Sequence, residues 1–209
     1  MEKDEKKFKI VAVAGSTRPK SMSNTYKVLK IVADEINKDP LFKAEIYNLN
    51  DLDIKSCIGC DRCKYDNTCS IQDDYVKIFH PLFLNNPKVK GLIVATPVYY
   101  AGMSAKVKAF FERTLFFRRK NFAMRDIIGG AIAVSKSRNG GVELALIDII
   151  TSFLVNDMVV VPDSAPTSHF GGAVWSGHAD GVEKDVIGIA SAINLGKRMM
   201  EVIKKMYLK

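Results

Sequence analysis

All four cysteines of the chain fall within thirteen residues, as Cys57, Cys60, Cys63 and Cys69 in the run CIGCDRCKYDNTC, spaced C-x2-C-x2-C-x5-C. Thiolates three residues apart on a turning backbone can be aimed at one centre, and four soft sulfur ligands suit an iron–sulfur cluster best. Three other fates for these sulfurs stay open. Zinc accepts four thiolates, although structural zinc sites usually present two separated C-x2–4-C pairs. A disulfide needs an oxidising compartment, of which the chain carries no other mark. Unligated thiols are the third.

A second group is GSTRPKSMSNT, from Gly15 to Thr25. Ser16, Thr17, Arg18, Ser21, Ser23, Asn24 and Thr25 place hydroxyls, an amide and a guanidinium just ahead of a helical pattern. Free backbone N–H groups and the positive end of a helix dipole make such a turn a site for a phosphate monoester. Arg18 can add a charge-assisted bond. Helix capping by Ser23 or Asn24 explains one or two of these residues, and the group holds more polar side chains than a cap uses. Neither G-x-G-x-x-G nor G-x4-G-K-[ST] is present, so the dinucleotide fingerprint and the nucleoside-triphosphate loop are both unsupported.

Two further loops can receive the rest of such a ligand. Pro97, Val98, Tyr99, Tyr100 and Gly102 follow an apolar run and can set a planar ring against backbone and aromatic faces. Ser137, Arg138, Asn139 and Gly140, with Gly141, combine polar groups for the edge of a heterocycle with room for close backbone approach. Taken singly, the first could be strand-end packing and the second a surface turn. Together with the phosphate loop they describe a ribityl-phosphate flavin site.

These loops need elements to hold them. Residues 8–14, 43–49, 89–96, 127–134 and 159–161 are short apolar runs of the kind that form buried parallel strands. Helical patterns fall between them: one face of Val28, Leu29, Val32, Ala33 and Ile36, a helix opened by Asp73 and Asp74 and running to about Leu84, and another capped by Ser104. Two more cover 142–156, apolar almost all round and therefore buried on more than one side or at a subunit interface, and 183–206. Pro162 to Gly181 reads as a long loop. His169 and His178 lie in it and read as ordinary loop residues. Alternation of this kind makes a doubly wound parallel sheet, with ligands beyond the carboxyl ends of the strands.

At 209 residues the chain fits a single domain with a substantial core. It has no apolar run of membrane-spanning length, and its charged N-terminus is not a signal peptide, so a cytoplasmic location is expected. The formal net charge of +8 comes from scattered lysines with no arginine stripe interleaved with aromatics. It reads first as a solvated basic face, with steering of an acidic redox partner as a second reading that the sequence leaves open, and nucleic acid is not expected.

The motifs GSTR…SNT, CIGCDRCKYDNTCSIQDD (57–74), TPVYYAGMSAKVKAFFER (96–113) and SRNGG (137–141) make most of the chain resemble the iron–sulfur flavoproteins of the flavodoxin-like, NADPH-dependent FMN reductase superfamily. That resemblance implies a flavodoxin-like α/β fold: a five-stranded parallel sheet of order 2-1-3-4-5 with helices on both faces. It implies FMN, with Ser16, Arg18, Ser23, Asn24 and Thr25 at the phosphate and residues 97–102 and 137–141 around the isoalloxazine ring. It implies a [4Fe–4S] cluster on Cys57, Cys60, Cys63 and Cys69, and a homodimer or homotetramer. Two departures stand out: Pro19 to Met22 lengthen the first loop, and Ser135-Lys136 stands where a glycine pair is common. The function expected is electron transfer from a one-electron donor such as a ferredoxin, through the cluster, to FMN and an acceptor, with no residue needed as acid or base. An NAD(P)H-dependent FMN or quinone reductase without a cluster is one alternative. A non-catalytic, partner-binding protein of the same fold is the other.

Overall fold

The structure is a computed structural model that describes residues 7–208. Residues 1–6 of the charged N-terminus, read above as no signal peptide, lie outside them. One sheet holds β1 (Phe8–Ala14), β2 (Phe42–Asn48), β3 (Val89–Pro97), β4 (Ile128–Ser135), β5 (Val159–Val160) and β6 (Gly172–Trp175). Every pairing is parallel, and the order is β2-β1-β3-β4-β5 with β6 also on β4. The helices are α1 (Asn24–Ile36), α2 (Arg62–Tyr65), α3 (His80–Leu84), α4 (Ala105–Arg113), α5 (Leu115–Arg119), α6 (Val142–Val155) and α7 (Val186–Tyr207).

Side chains alternate across the central strands, so each strand feeds two cores. Ile10, Ala12, Ile93 and Ile132 pack against Val28, Leu29 and Val32 of α1 and Leu195 and Met199 of α7. Val11, Val13, Leu92, Val94 and Ala131 face the other way, onto Phe110 of α4, Phe117 of α5 and Ile149 and Phe153 of α6. Helices therefore cover both faces. That is why the strands read as unbroken apolar runs rather than as alternating ones.

Two features differ from the sequence-based expectation. The fifth position in the sheet is divided: β5 pairs only with Ile128 and Gly129 at the start of β4, and β6 pairs with Ile132–Ser135 at its end. The chain leaves the ladder at Pro162, which has no N–H to continue it, and returns at Gly172. A Cβ at Gly172 would stand 3.0 Å from the Ala192 Cα, so glycine lets this short strand lie close under α7. The helix expected from Asp73 to Leu84 is the second difference. It opens as a wide π-type turn over Tyr75–Phe79 before α3 begins. Pro81 supplies no N–H to the carbonyl four residues back, which favours the wider turn.

Candidate functional site

The loops after β1, β3 and β4 converge at the carboxyl end of the sheet, beside the switch in strand order between β1 and β3. They form an open crevice of about 210 Å³. Ser16, Arg18, Asn24, Thr25, Pro97, Val98 and Tyr99, all singled out above, line it together. Val134, Lys136 and Ser176 complete the lining. Among the described residues that line it, Arg18 and Lys136 are cations and none is a carboxylate, so the crevice is suited to an anion.

Backbone proximity fixes the first two loops relative to each other. The Gly15 N–H donates to the Ala95 carbonyl at 2.8 Å, and the Gly15 carbonyl accepts from the Ser104 hydroxyl at 2.7 Å. A Cβ at Gly15 would stand 2.0 Å from Val107 Cγ2, so only glycine admits α4 this close to the end of β1. Ser104 also donates its N–H to Thr96 Oγ1 (2.9 Å) and caps α4 by accepting from the Val107 N–H (3.3 Å). Across the crevice mouth, the Thr17 hydroxyl and the Tyr99 phenol meet at 3.1 Å.

Ser23 is buried, and its hydroxyl accepts from the Tyr26 N–H at 3.0 Å, so it acts as the N-cap of α1. Tyr100 and Gly102 lie outside the crevice lining. Tyr99 and Gly102 exchange two N–H···O bonds of 3.0 Å around Tyr100 (φ 48°) and Ala101 (φ 62°), a tight turn that leaves the Tyr100 ring fully exposed. Ser137, Arg138, Asn139 and Gly140 are also outside the lining. The Arg138 guanidinium lies 3.9 Å over the Trp175 ring, whose Nε1–H donates to the Lys136 carbonyl at 2.7 Å. The residue of this loop that lines the crevice is thus Lys136. Its place directly after β4 could have marked it, whereas Ser176 was hidden because β6 itself was not legible.

The four cysteines line a second, small pocket of about 30 Å³, together with Arg113, Leu115 and Phe116 from α4 and α5. Gly59 (φ 64°), Asp61 (φ 58°) and Asn67 (φ 59°) take left-handed backbone, which residues of these types accept most readily, and curl the segment around the pocket. Cys60 is exposed and the other three are partly buried. Among the described residues, no three His, Cys, Asp or Glu side chains are gathered closely enough to hold a single metal ion. The Ser70 hydroxyl lies 2.9 Å from the Cys60 sulfur and holds that thiol below its ordinary range. Behind the pocket, Arg113 pairs with Asp73, both all but fully buried. Burial pushes the Asp73 carboxyl up, but the Arg113 guanidinium and the Lys55 N–H outweigh it and hold the group below the usual carboxylate range.

The two pockets are joined by one helix. Ser104, the cap of α4, touches the first loop, and Arg113, its last residue, touches Cys69. Nine residues at the α-helical rise span about 14 Å.

A sequence profile of the family described as NADPH-dependent FMN reductase matches residues 8–172. The chain belongs to that family. As an NADPH-dependent FMN reductase family member it is an oxidoreductase of the flavin electron-transfer kind. It is similar to an iron–sulfur flavoprotein of Methanocaldococcus jannaschii, 35% identical over 197 residues, which covers 94% of this chain and 98% of that one. It is also similar to an iron–sulfur flavoprotein of Methanosarcina thermophila, 32% identical over 94% of this chain and 96% of that one. Among solved structures, RosB with bound 8-demethyl-8-formylriboflavin-5′-phosphate superposes with a TM-score of 0.68 at 12% identity, covering 95% of this chain and 81% of that one. A WrbA-like flavodoxin from Agrobacterium tumefaciens superposes with a TM-score of 0.60 at 14% identity, covering 93% of this chain and 98% of that one. These likenesses place the family member in the flavodoxin-like fold. Among the described residues, no helix is long and apolar enough to cross a membrane.

Proposed function

We propose that this chain is an iron–sulfur flavoprotein that binds FMN in the crevice and a [4Fe–4S] cluster on Cys57, Cys60, Cys63 and Cys69. The observation that carries the reading is the pairing of two pockets: a cationic crevice at the strand ends and a pocket lined by all four cysteines, at opposite ends of α4. When bound, a cluster supplies single electrons and FMN takes or gives one or two, so the pair connects one-electron to two-electron chemistry. The names of the relatives from Methanocaldococcus jannaschii and Methanosarcina thermophila support the same cofactor pair. A four-iron cube also holds its thiolates further apart than a single ion does, which suits cysteines that share a pocket without closing on one point.

The residues divide the work. Arg18 and Lys136 supply positive charge for a phosphate group, and Ser16, Asn24 and Thr25 supply hydrogen bonds at the start of α1. Pro97, Val98 and Tyr99 offer backbone and an aromatic face to a ring. Ser23, Tyr100, Gly102 and the 137–140 turn act at one remove: Ser23 shapes the phosphate loop by capping α1, and the two turns hold Tyr99 and Lys136 in place.

The electron donor we propose is an acidic one-electron carrier such as a ferredoxin, consistent with the net charge of +8. A reducing, cytoplasmic setting follows from the thiolate ligands. The exposed Leu144, Ile147 and Leu154 of α6 support a homodimer or homotetramer. The family description favours a second reading, an NAD(P)H-dependent flavin or quinone reductase whose cysteines hold no cluster. Anaerobic absorption spectra before and after reduction separate the two. The relay predicts a broad cluster band that bleaches alongside the flavin peaks, and flavin peaks alone would favour the plain reductase.

A further inference from the structure

Arg113 and Asp73 form an ion pair whose side chains are 2% and 0% exposed. The guanidinium has five polar contacts, and all lie in or beside the cysteine segment. Nη1 donates to the Lys55 carbonyl (2.9 Å) and to Asp73 Oδ2 (2.6 Å). Nη2 donates to Asp73 Oδ1 (3.1 Å), the Ile71 carbonyl (3.2 Å) and the Cys69 sulfur (3.4 Å). Lys55 stands before the first cysteine, and Ile71 and Asp73 stand after the last. Asp73 repeats the bridge, accepting the Lys55 N–H at 2.9 Å and the Tyr75 N–H at 3.2 Å. The Tyr75 ring lies beneath the guanidinium at 4.9 Å. One side chain from α4 therefore ties both ends of the segment together at the base of the pocket.

A second arginine makes a related contact from α5. Arg119 Nη1 donates to the Cys63 sulfur at 3.2 Å, while Nη2 donates to Asp61 Oδ1 at 2.7 Å. A buried ion pair serving packing alone would need the carboxylate and carbonyls around Arg113, but it would give no reason for two guanidiniums on two helices to reach two different cysteine sulfurs. N–H groups directed at ligand sulfurs favour the more negative, reduced form of an iron–sulfur centre, because uptake of an electron adds charge that the donors stabilise. Arg suits the Arg113 position as Lys does not, since only a planar fork reaches two chain ends and a sulfur together.

We propose that Arg113 and Arg119 are positioning residues of the cysteine site: Arg113 clamps the two ends of the 55–73 segment, and both guanidiniums donate to the sulfurs of Cys69 and Cys63 and so raise the reduction potential of the cluster held there. This rests on the cluster reading above. The test uses the full chain, anaerobically reconstituted with iron and sulfide, as wild type, Arg119→Gln and Arg113→Lys. Iron and sulfide are counted first, the cluster midpoint is measured by redox titration, and amide exchange over residues 55–73 is followed in the metal-free protein. In iron-replete Arg119→Gln, the one-electron equilibrium is expected to move toward the oxidised form by about tenfold, about 59 mV. Arg113→Lys is expected to move it the same way and to speed exchange over 55–73 by about tenfold or more. Unchanged midpoints in iron-replete variants would overturn the sulfur tuning, and wild-type exchange in metal-free Arg113→Lys would overturn the clamp. If Arg113→Lys does not fold, the Arg119→Gln midpoint decides. A wild type without iron would defeat the cluster reading and the tuning with it, while the exchange comparison would still judge the clamp by itself.

Discussion

Arg18 shows how much can rest on one side chain of the crevice. It shares the lining with one other cation among the described residues, Lys136, and its own N–H donates to Ser16 Oγ at 3.0 Å, which fixes the loop from which the guanidinium extends. A hydrogen bond to a charged group contributes about 1.5–3 kcal/mol. Arg18→Ala is therefore expected to weaken FMN binding by about tenfold or more, read by quenching of flavin fluorescence on titration into the apoprotein, with the folded content unchanged. His80 carries a different consequence. Its ring is buried and stacks on Phe116 at 3.9 Å, and among the described residues its Nε2 has no hydrogen-bond partner. Burial, and then the nearby Arg113 charge, push its pKa down from 6.5 to about 4. As pH falls through that window the unfolded chain takes up a proton that the fold refuses, so stability drops between about pH 6.5 and pH 4. Melting temperatures at pH 7.5 and 5 should show a larger fall for wild type than for His80→Gln.

At the scale of elements, α4 has the most to position. Its cap, Ser104, is fully buried and joins the end of β1 to the end of β3. Ser104→Ala would remove the cap and leave the Gly15 carbonyl without that donor. A loss of about 1–2 kcal/mol is expected, measured as a lower denaturant midpoint at unchanged slope, together with weaker flavin binding. The same scale explains what the sequence could reveal. β1, β3 and β4 are buried on both faces, so they appear as apolar runs, and the polar residues that follow them mark the crevice. Ser16, Arg18, Asn24, Thr25 and the 97–99 stretch were legible for that reason. Four-residue β6 opens with a glycine and ends in a Gly- and Ser-containing loop, and carries too few residues to show a period, so Ser176 was not. Arg113 and Arg119 were missed on other grounds. On an amphipathic helix, a charged residue reads as part of the solvated face, and only the fold reveals that Arg113 turns inward onto the cysteine segment.

For the whole molecule, the decisive arrangement is the separation of two pockets by one short helix. The cationic crevice lies at the carboxyl end of the sheet, where strand order reverses, and the cysteine pocket lies at the far end of α4 against α5. The cysteine spacing is legible in the sequence itself, because four sulfurs fall within thirteen residues. Their place relative to the crevice was not, since it depends on which helix packs beside them. The most direct test is chemical analysis of protein purified without oxygen. The account predicts about four irons and four sulfides per chain alongside one FMN. Yellow protein with stoichiometric FMN and neither iron nor sulfide would contradict it.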